Sequence, residues 1–321
     1  MNSQIETWRV QQFAANVYQL SQQKASRFAP IARSESFVGK TEYFDRLGLA
    51  TAVDKVGRNE DTPNLDIAHS RRAVTTLTRH WGTLVDRKDK LQNIHSPESE
   101  YSIAAQSALG RKTDKIFIDS ALGTAWTGES GTTSQTLGTA QQLASVASSV
   151  LDYLNVNALI AAKQIMDSAE VVGQRYMIVG STGIASLLKS TQVTSSDYNT
   201  VKALAMGEID TYLGFKFIHS EILGILTAAS VNPQGSYDAD DFHFDTTTGL
   251  YNGSGTDLVG TEKMALAVVG DGIILGENTN GRIARVGERE DKGYSNQIYT
   301  AMDLGGARME EAKVVQLFYK P

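Results

Sequence analysis

The residues of this chain with the most chemical promise are five histidines and one run of aspartates. His69, His80, His95, His219 and His243 are scattered, and none stands in an HExxH array or at a His-carboxylate spacing that would face a metal. The stretch DADDFHFD gathers Asp238, Asp240, Asp241 and Asp245. Hard cations such as calcium bind carboxylate oxygens gathered in this way, but the glycine and closing glutamate of an EF-hand loop are missing. These four aspartates are a candidate metal loop set beside a simpler reading, a solvated acidic surface. GDGIILGENTNG is glycine-rich yet lacks the Lys-Ser/Thr ending of a phosphate loop and the GxGxxG order of a dinucleotide fold. There is no GxSxG elbow. The absence of cysteine removes thiolate nucleophiles, thiolate metal sites and disulfides. The expectation is a protein without catalytic residues and without a cofactor.

Composition narrows the classes further. The 321 residues, 41% hydrophobic and 21% charged, suit a folded chain of one elaborate domain or two. No stretch has the roughly 18 uncharged apolar residues of a membrane span, and the start, MNSQIETWRVQQF, has no apolar run of signal-peptide length. A soluble, non-exported product with no membrane partner is expected. The net charge of −6 is uneven: residues 1–125 carry 17 Lys and Arg against 14 Asp and Glu, while residues 126–321 carry 13 against 22. Neither part holds a basic stripe of the kind that neutralises several phosphates. Sequence-specific nucleic-acid binding is not expected.

With little chemistry to position, attention moves to the elements. Val10, Phe13, Val17 and Leu20 follow the 3-4-3 spacing of a helix with a narrow apolar seam. Between residues 39 and 85, LATAVDKV and IAHSRRAVTTLTRHW are rich in β-branched residues and flank the polar tip GRNEDTPN, which predicts a long hairpin. Asp54, Lys55, Arg71, Arg72 and Arg79 put charge along both arms. An isolated two-stranded ribbon is marginal in water, so this hairpin needs a neighbour from its own fold or from another copy.

A helix is predicted from about Ser99 to Leu122. Its apolar residues fall into two patches, Tyr101 to Leu109 and Ile116 to Leu122, separated by Arg111, Lys112, Asp114 and Lys115. A helix serving one core keeps a continuous apolar stripe, so this one reads as a strut between separate partners. Residues 124–138 read as a loop, and 139–171 as helix that Asn155 and Asn157 divide. RYMIVG is a strand, a helix follows from Ser181 or Thr182, another from Ser195 or Ser196, and EIDTYLGFKFIHSE makes two strand pieces around Gly214. In the final strand Val314, Gln316 and Phe318 face one side and Val315, Leu317 and Tyr319 the other, the signature of a strand buried inside a sheet. The fold class is α+β.

Three segments in this order, HWGTLVDRKDKLQNIHSPESEYSIAAQSALGRKTDKIFIDSALGTA, SSDYNTVKALAMGEIDTYLGFKFIHSE and GGARMEEAKVVQLFYK, resemble the major capsid proteins of tailed bacteriophages with the HK97-like fold. The resemblance implies an N-terminal arm at 1–38 and an extended loop at 39–85. It implies a peripheral domain with a spine helix at 86–174, completed by 293–321, and an axial domain at 175–292. It implies self-assembly as pentamers and hexamers into an icosahedral head around double-stranded DNA, without sequence-specific contact, in the virion after assembly in the host bacterial cytoplasm. A separate scaffolding protein, a portal protein and a possible decoration protein are the further partners implied. The alternative within the same fold is an encapsulin-type compartment shell. Contacts between copies are then expected at Trp8, Phe13, Asp54, Lys55, Arg58, Glu60, Asp61, Arg71, Arg72, Arg79, Arg111, Asp114 and Lys115.

Overall fold

In the computed structural model the described residues are 23–59, 61–62, 64–85, 98–147, 150–189, 211–223, 243–244, 256–257 and 263–320. Nineteen strands and three α-helices are found among them. The strands fall into a few sheets, and the two larger ones make the body.

The six-stranded sheet is built from β7 (Gln142–Ala144), β10 (Arg175–Val179), β11 (Thr211–Tyr212), β12 (Phe215–His219), β15 (Lys263–Val269) and β19 (Val314–Tyr319), in the order β11-β12-β10-β15-β19-β7. Alternation along its inner strands divides the apolar side chains between two cores. Val315, Leu317 and Tyr319, with Ala265, Ala267 and Val269, face α2 (Val156–Ser168) and α3 (Ser181–Lys189). Val314 and Phe318, with Leu266 and Val268, face α1 (Glu98–Leu122). Every residue of β19 is buried, as its two-sided apolar pattern predicts.

The second large sheet contains β1 (Arg33–Phe37), β4 (Leu77–Val85), β16 (Ile273–Asn278), β17 (Ile283–Arg289) and the 14-residue β18 (Ser295–Arg308). β18 pairs antiparallel with β4, β16 and β17, and β1 runs parallel to β16. α1 lies between the two large sheets, with Ile116, Phe117, Ile118 and Leu122 packed among Ile273, Leu275, Met302 and Leu304 as well as Leu266 and Phe318. β19 sits in the six-stranded sheet with Val314 and Phe318 in the core shared with α1, and β16 and β17 join β18. A strand with apolar side chains on both faces needs cover on both, and the position between β15 and β7 provides it.

The hairpin exists in a shorter form than expected. β2 (Thr41–Leu47) pairs with β3 (His69–Thr75), and Gly48 N–H donates to Ala68 O at 2.7 Å beyond the last strand pair. LATAVDKV lies past that point, and the described residues between 48 and 68 form no regular strand. The second arm also divides. At Thr76, whose N–H donates to Lys40 O, the chain leaves β3 and enters β4 in the other sheet. β5 (Ala125–Thr127) and β6 (Thr133–Gln135) widen the hairpin root to four strands, where the sequence reads as loop. A Cβ at Gly305 would stand 2.1 Å from Thr75 O, at this crossing of hairpin root and β18. Gly305→Ala is therefore expected to destabilise the unassembled chain by about 2 kcal/mol, measured as a lower thermal unfolding midpoint.

Residues 142–147 and 150–151 depart from the helical reading. They form β7, β8 (Val146–Ala147) and β9 (Val150–Leu151), and α2 begins only after Asn155, whose side chain accepts from Ala158 N–H at 2.9 Å. The helix expected after Ser195 or Ser196 lies outside the described residues. Two short strands, β13 (His243–Phe244) and β14 (Thr256–Asp257), pair antiparallel within the acidic region.

The start of α3 carries a titratable cap. Glu221 Oε1 accepts from Ser181 N–H at 2.5 Å and meets His219 Nε2 at 3.0 Å. Partial burial opposes its ionised form, but the hydrogen bonds from Ser181 and His219 win and hold its carboxyl at about 2. Because the folded value lies below the usual one of about 4.3, this stabilisation is present above pH 4.3 and is lost as pH falls toward 2. Protection of the α3 amides, taken relative to the exchange rate of an unstructured amide at the same pH, is expected to fall across that window, and Glu221→Gln is expected to remove the dependence.

Candidate assembly interface

The charges in the middle of α1 have a first use inside the chain. Asp114 is fully buried. It accepts from the backbone N–H groups of Arg27 and Phe28 at 3.0 and 3.1 Å, and also from Ser26 Oγ and the Gln23 side-chain amide. Arg111 donates to Gln23 O at 3.1 Å. The segment reaches the helix this closely because residue 110 is glycine, where a Cβ would meet Ser26 N at 3.0 Å. Phe28, itself fully buried, then packs on Phe117 with ring centroids 5.3 Å apart. Asp114, expected at a contact between copies, has its carboxylate occupied by residues 23–28 of its own chain.

A second buried network ties the hairpin root to the end of α1. Arg308 of β18 is fully buried and donates to Ala121 O at 2.7 Å, Gly123 O at 2.9 Å and Gln135 O at 3.1 Å. The last turn of α1 contains no basic residue, so Arg308 supplies from another strand the cation that a helix C-terminus favours. Glu311 faces three guanidinium groups. Arg72 Nη2 is 2.5 Å from it, Arg308 Nε 3.7 Å and Arg46 Nη1 3.8 Å. Burial pulls Arg72 below the usual guanidinium value, with Glu311 opposing and Arg46 adding to the shift. Arg72, expected at a contact between copies, is 4% exposed and is instead held within its own chain. Sequence reading missed Arg46, Arg308 and Glu311. The available signal was a lone arginine in the otherwise small and apolar run LGGARM.

Arg79 belongs to a third group, between β4 and α1. Burial and the charges of Arg79 and Lys115 lower the Lys112 pKa, while Asp119 opposes. Burial raises Asp119 against the pull of Lys115, Lys112 and Arg79. Lys115 itself is exposed.

The remaining expected contacts gather on the loop beyond the hairpin. Asp54, Lys55, Arg58 and Asp61 are all exposed. Arg71 pairs across the ladder with Asp45 at 3.1 Å and lies over the Tyr43 ring. Trp8, Phe13, Glu60 and Asp238, Asp240, Asp241 and Asp245 lie outside the described residues. Apolar side chains share the loop with the charges: Leu49 is 98% exposed and Val53 62%. Among the described residues no group of three or more His, Asp and Glu side chains is placed to hold a metal, and no helix is long and apolar enough to cross a membrane.

The fold of this chain is found in known proteins. The capsid of cyanophage P-SCSP1u is similar over 98% of this chain and 94% of its own, with a TM-score of 0.72 at 15% identity. The capsid of Ralstonia phage GP4 matches over 97% and 95%, with a TM-score of 0.68 at 11% identity. The capsid of Helicobacter pylori bacteriophage KHP30 matches over 100% and 98%, with a TM-score of 0.66 at 10% identity. The fold is HK97-like. No curated protein matches the sequence. The phage capsid protein family matches residues 5–320, and the chain therefore belongs to that family.

Proposed function

We propose that this chain is the major structural subunit of a tailed-phage head, assembling with copies of itself as pentamers and hexamers into a closed icosahedral shell around double-stranded DNA. One observation carries the reading. Past the Gly48–Ala68 closure the loop projects with Leu49 and Val53 in water, apolar surface that a lone copy leaves uncovered and a neighbouring copy would cover. The charged residues Asp54, Lys55, Arg58 and Asp61 on the same loop would set register rather than supply much affinity. The part built on α1 and β18 would take the peripheral position, and the six-stranded sheet the position around the five-fold and six-fold axes. The role is structural rather than catalytic. Assembly would take place in the host bacterial cytoplasm with a separate scaffolding protein, and the finished head would add a portal and, where present, a decoration protein.

The test is electron cryomicroscopy of particles formed by this chain with its scaffolding protein. Closed shells containing it at both five-fold and six-fold positions are expected. A monodisperse monomer under the same conditions, with residues 48–68 packed on their own chain, would overturn the proposal.

A further inference from the structure

Cations and carboxylates are matched over much of the surface but not beside α1. Arg33 pairs with Glu35, Arg71 with Asp45, Arg282 with Glu277, Arg289 with Asp291 and Lys313 with Asp271. Arg79, Lys112 and Lys115 instead gather around Asp119, whose ionised form burial disfavours. Arg79 Nε is buried and has no acceptor among the described residues. Resting on the assembly reading above, we infer that Arg79, Lys112 and Lys115 form a phosphate-binding strip for the enclosed duplex DNA, and that this side of α1 and β4 lines the interior of the shell.

Two elements build the strip. Successive helical residues turn by about 100°, so Lys112, Lys115 and Asp119 fall within about 60° of one another on α1, on a side away from Asp114 and the segment it holds. Ala104 and Ala108 precede them on that side, small side chains that leave the lysines open to a wide partner. Arg79 joins from β4. It stands opposite Met302, whose Sδ accepts from Thr113 Oγ1 at 3.8 Å, and directly opposed residues share a face, so Arg79 lies on the face turned toward α1. Lys115 is exposed, and Lys112 and Arg79 are half-buried. The sequence shows no basic run here because the fold, not the chain order, brings the strand and the helix together.

Crowding of like charge is why a polyanion suits the strip better than a carboxylate side chain. One carboxylate of a second copy would meet one cation and leave the others facing each other. Duplex DNA carries one charge per about 1.7 Å of its axis, so it meets all three at once. Lysine ammonium groups on flexible stems accept whichever phosphate arrives, and such contacts fix position without reading bases.

The test compares DNA-filled particles with the same particles emptied of DNA, by amine acetylation and mass spectrometry of the digested chain. Lys112 and Lys115 are expected to be protected in filled particles and to lose that protection in emptied ones. Formaldehyde fixation of filled particles is expected to leave nucleotide adducts on peptides that carry these lysines. Protection in both kinds of particle would overturn the strip in favour of cover by a neighbouring copy. Reaction in both, or absence of adducts from both lysines, would also overturn it and leave the assembly reading standing. A chain that forms no particles would overturn both readings.

Discussion

Replacing Asp114 with alanine is expected to free residues 23–32 from α1 and to destabilise the unassembled chain by about 3 kcal/mol. The carboxylate is fully buried and serves two backbone N–H groups, a hydroxyl and an amide. Alanine leaves these donors with no acceptor, and part of the loss is recovered only if the segment lifts into water. Lifting has its own penalty, because Phe28 would leave its contact with Phe117. Asp114→Asn is expected to fall between the two, since its amide keeps one acceptor oxygen but turns a donor toward other donors. Hydrogen exchange at Arg27 and Phe28 separates this account from general unfolding. Those amides should lose protection in Asp114→Ala while the β10, β15 and β19 amides keep theirs.

The second large effect is expected at Arg308. Arg308→Met preserves most of the volume but strands the carbonyls of Ala121, Gly123 and Gln135 and takes one cation from Glu311. Removing one member of a buried charged network destabilises by about 3–5 kcal/mol. The measurement is the urea midpoint at unchanged slope. Arg308→Lys should recover only part of the loss, because one ammonium cannot reproduce a planar fork that reaches carbonyls on two elements. A midpoint shift no larger than that of an exposed control such as Arg285→Met would contradict this account.

The sequence was legible wherever a pattern depends only on the residue and its own element. The two-sided apolar order of 314–319 assigns each side chain to one of two cores, and the structure keeps that assignment. α1 starts and ends within a residue of its predicted span. The failures share a cause, a partner supplied from far along the chain. Leu143, Val146 and Val150 have spacings a helix would use, yet Gln142–Ala144 is recruited as a strand by Gln316–Phe318, and Ser145 N–H donates to Phe318 O. LATAVDKV reads as a strand from its β-branched content, but its own chain offers it no strand partner among the described residues. Asp114 and Arg72 read as surface charges because nothing local records that residues 23–28 and Glu311 fold over them. The exposure of Asp54, Lys55, Arg58 and Asp61 was legible because a polar tip between β-branched runs is a local signal.

Glu311 gives the hairpin a tolerance that a single ion pair could not. Three guanidinium groups from three separate strands compete for one carboxylate, so a tilt of the hairpin that draws Arg72 back lets Arg46 or Arg308 close in. The exchange trades one partner for another rather than leaving a bare charge. A subunit wired in this way can accommodate different angles to its neighbours at nearly constant electrostatic energy, which is what identical pieces require when they must tile a surface whose curvature changes from place to place.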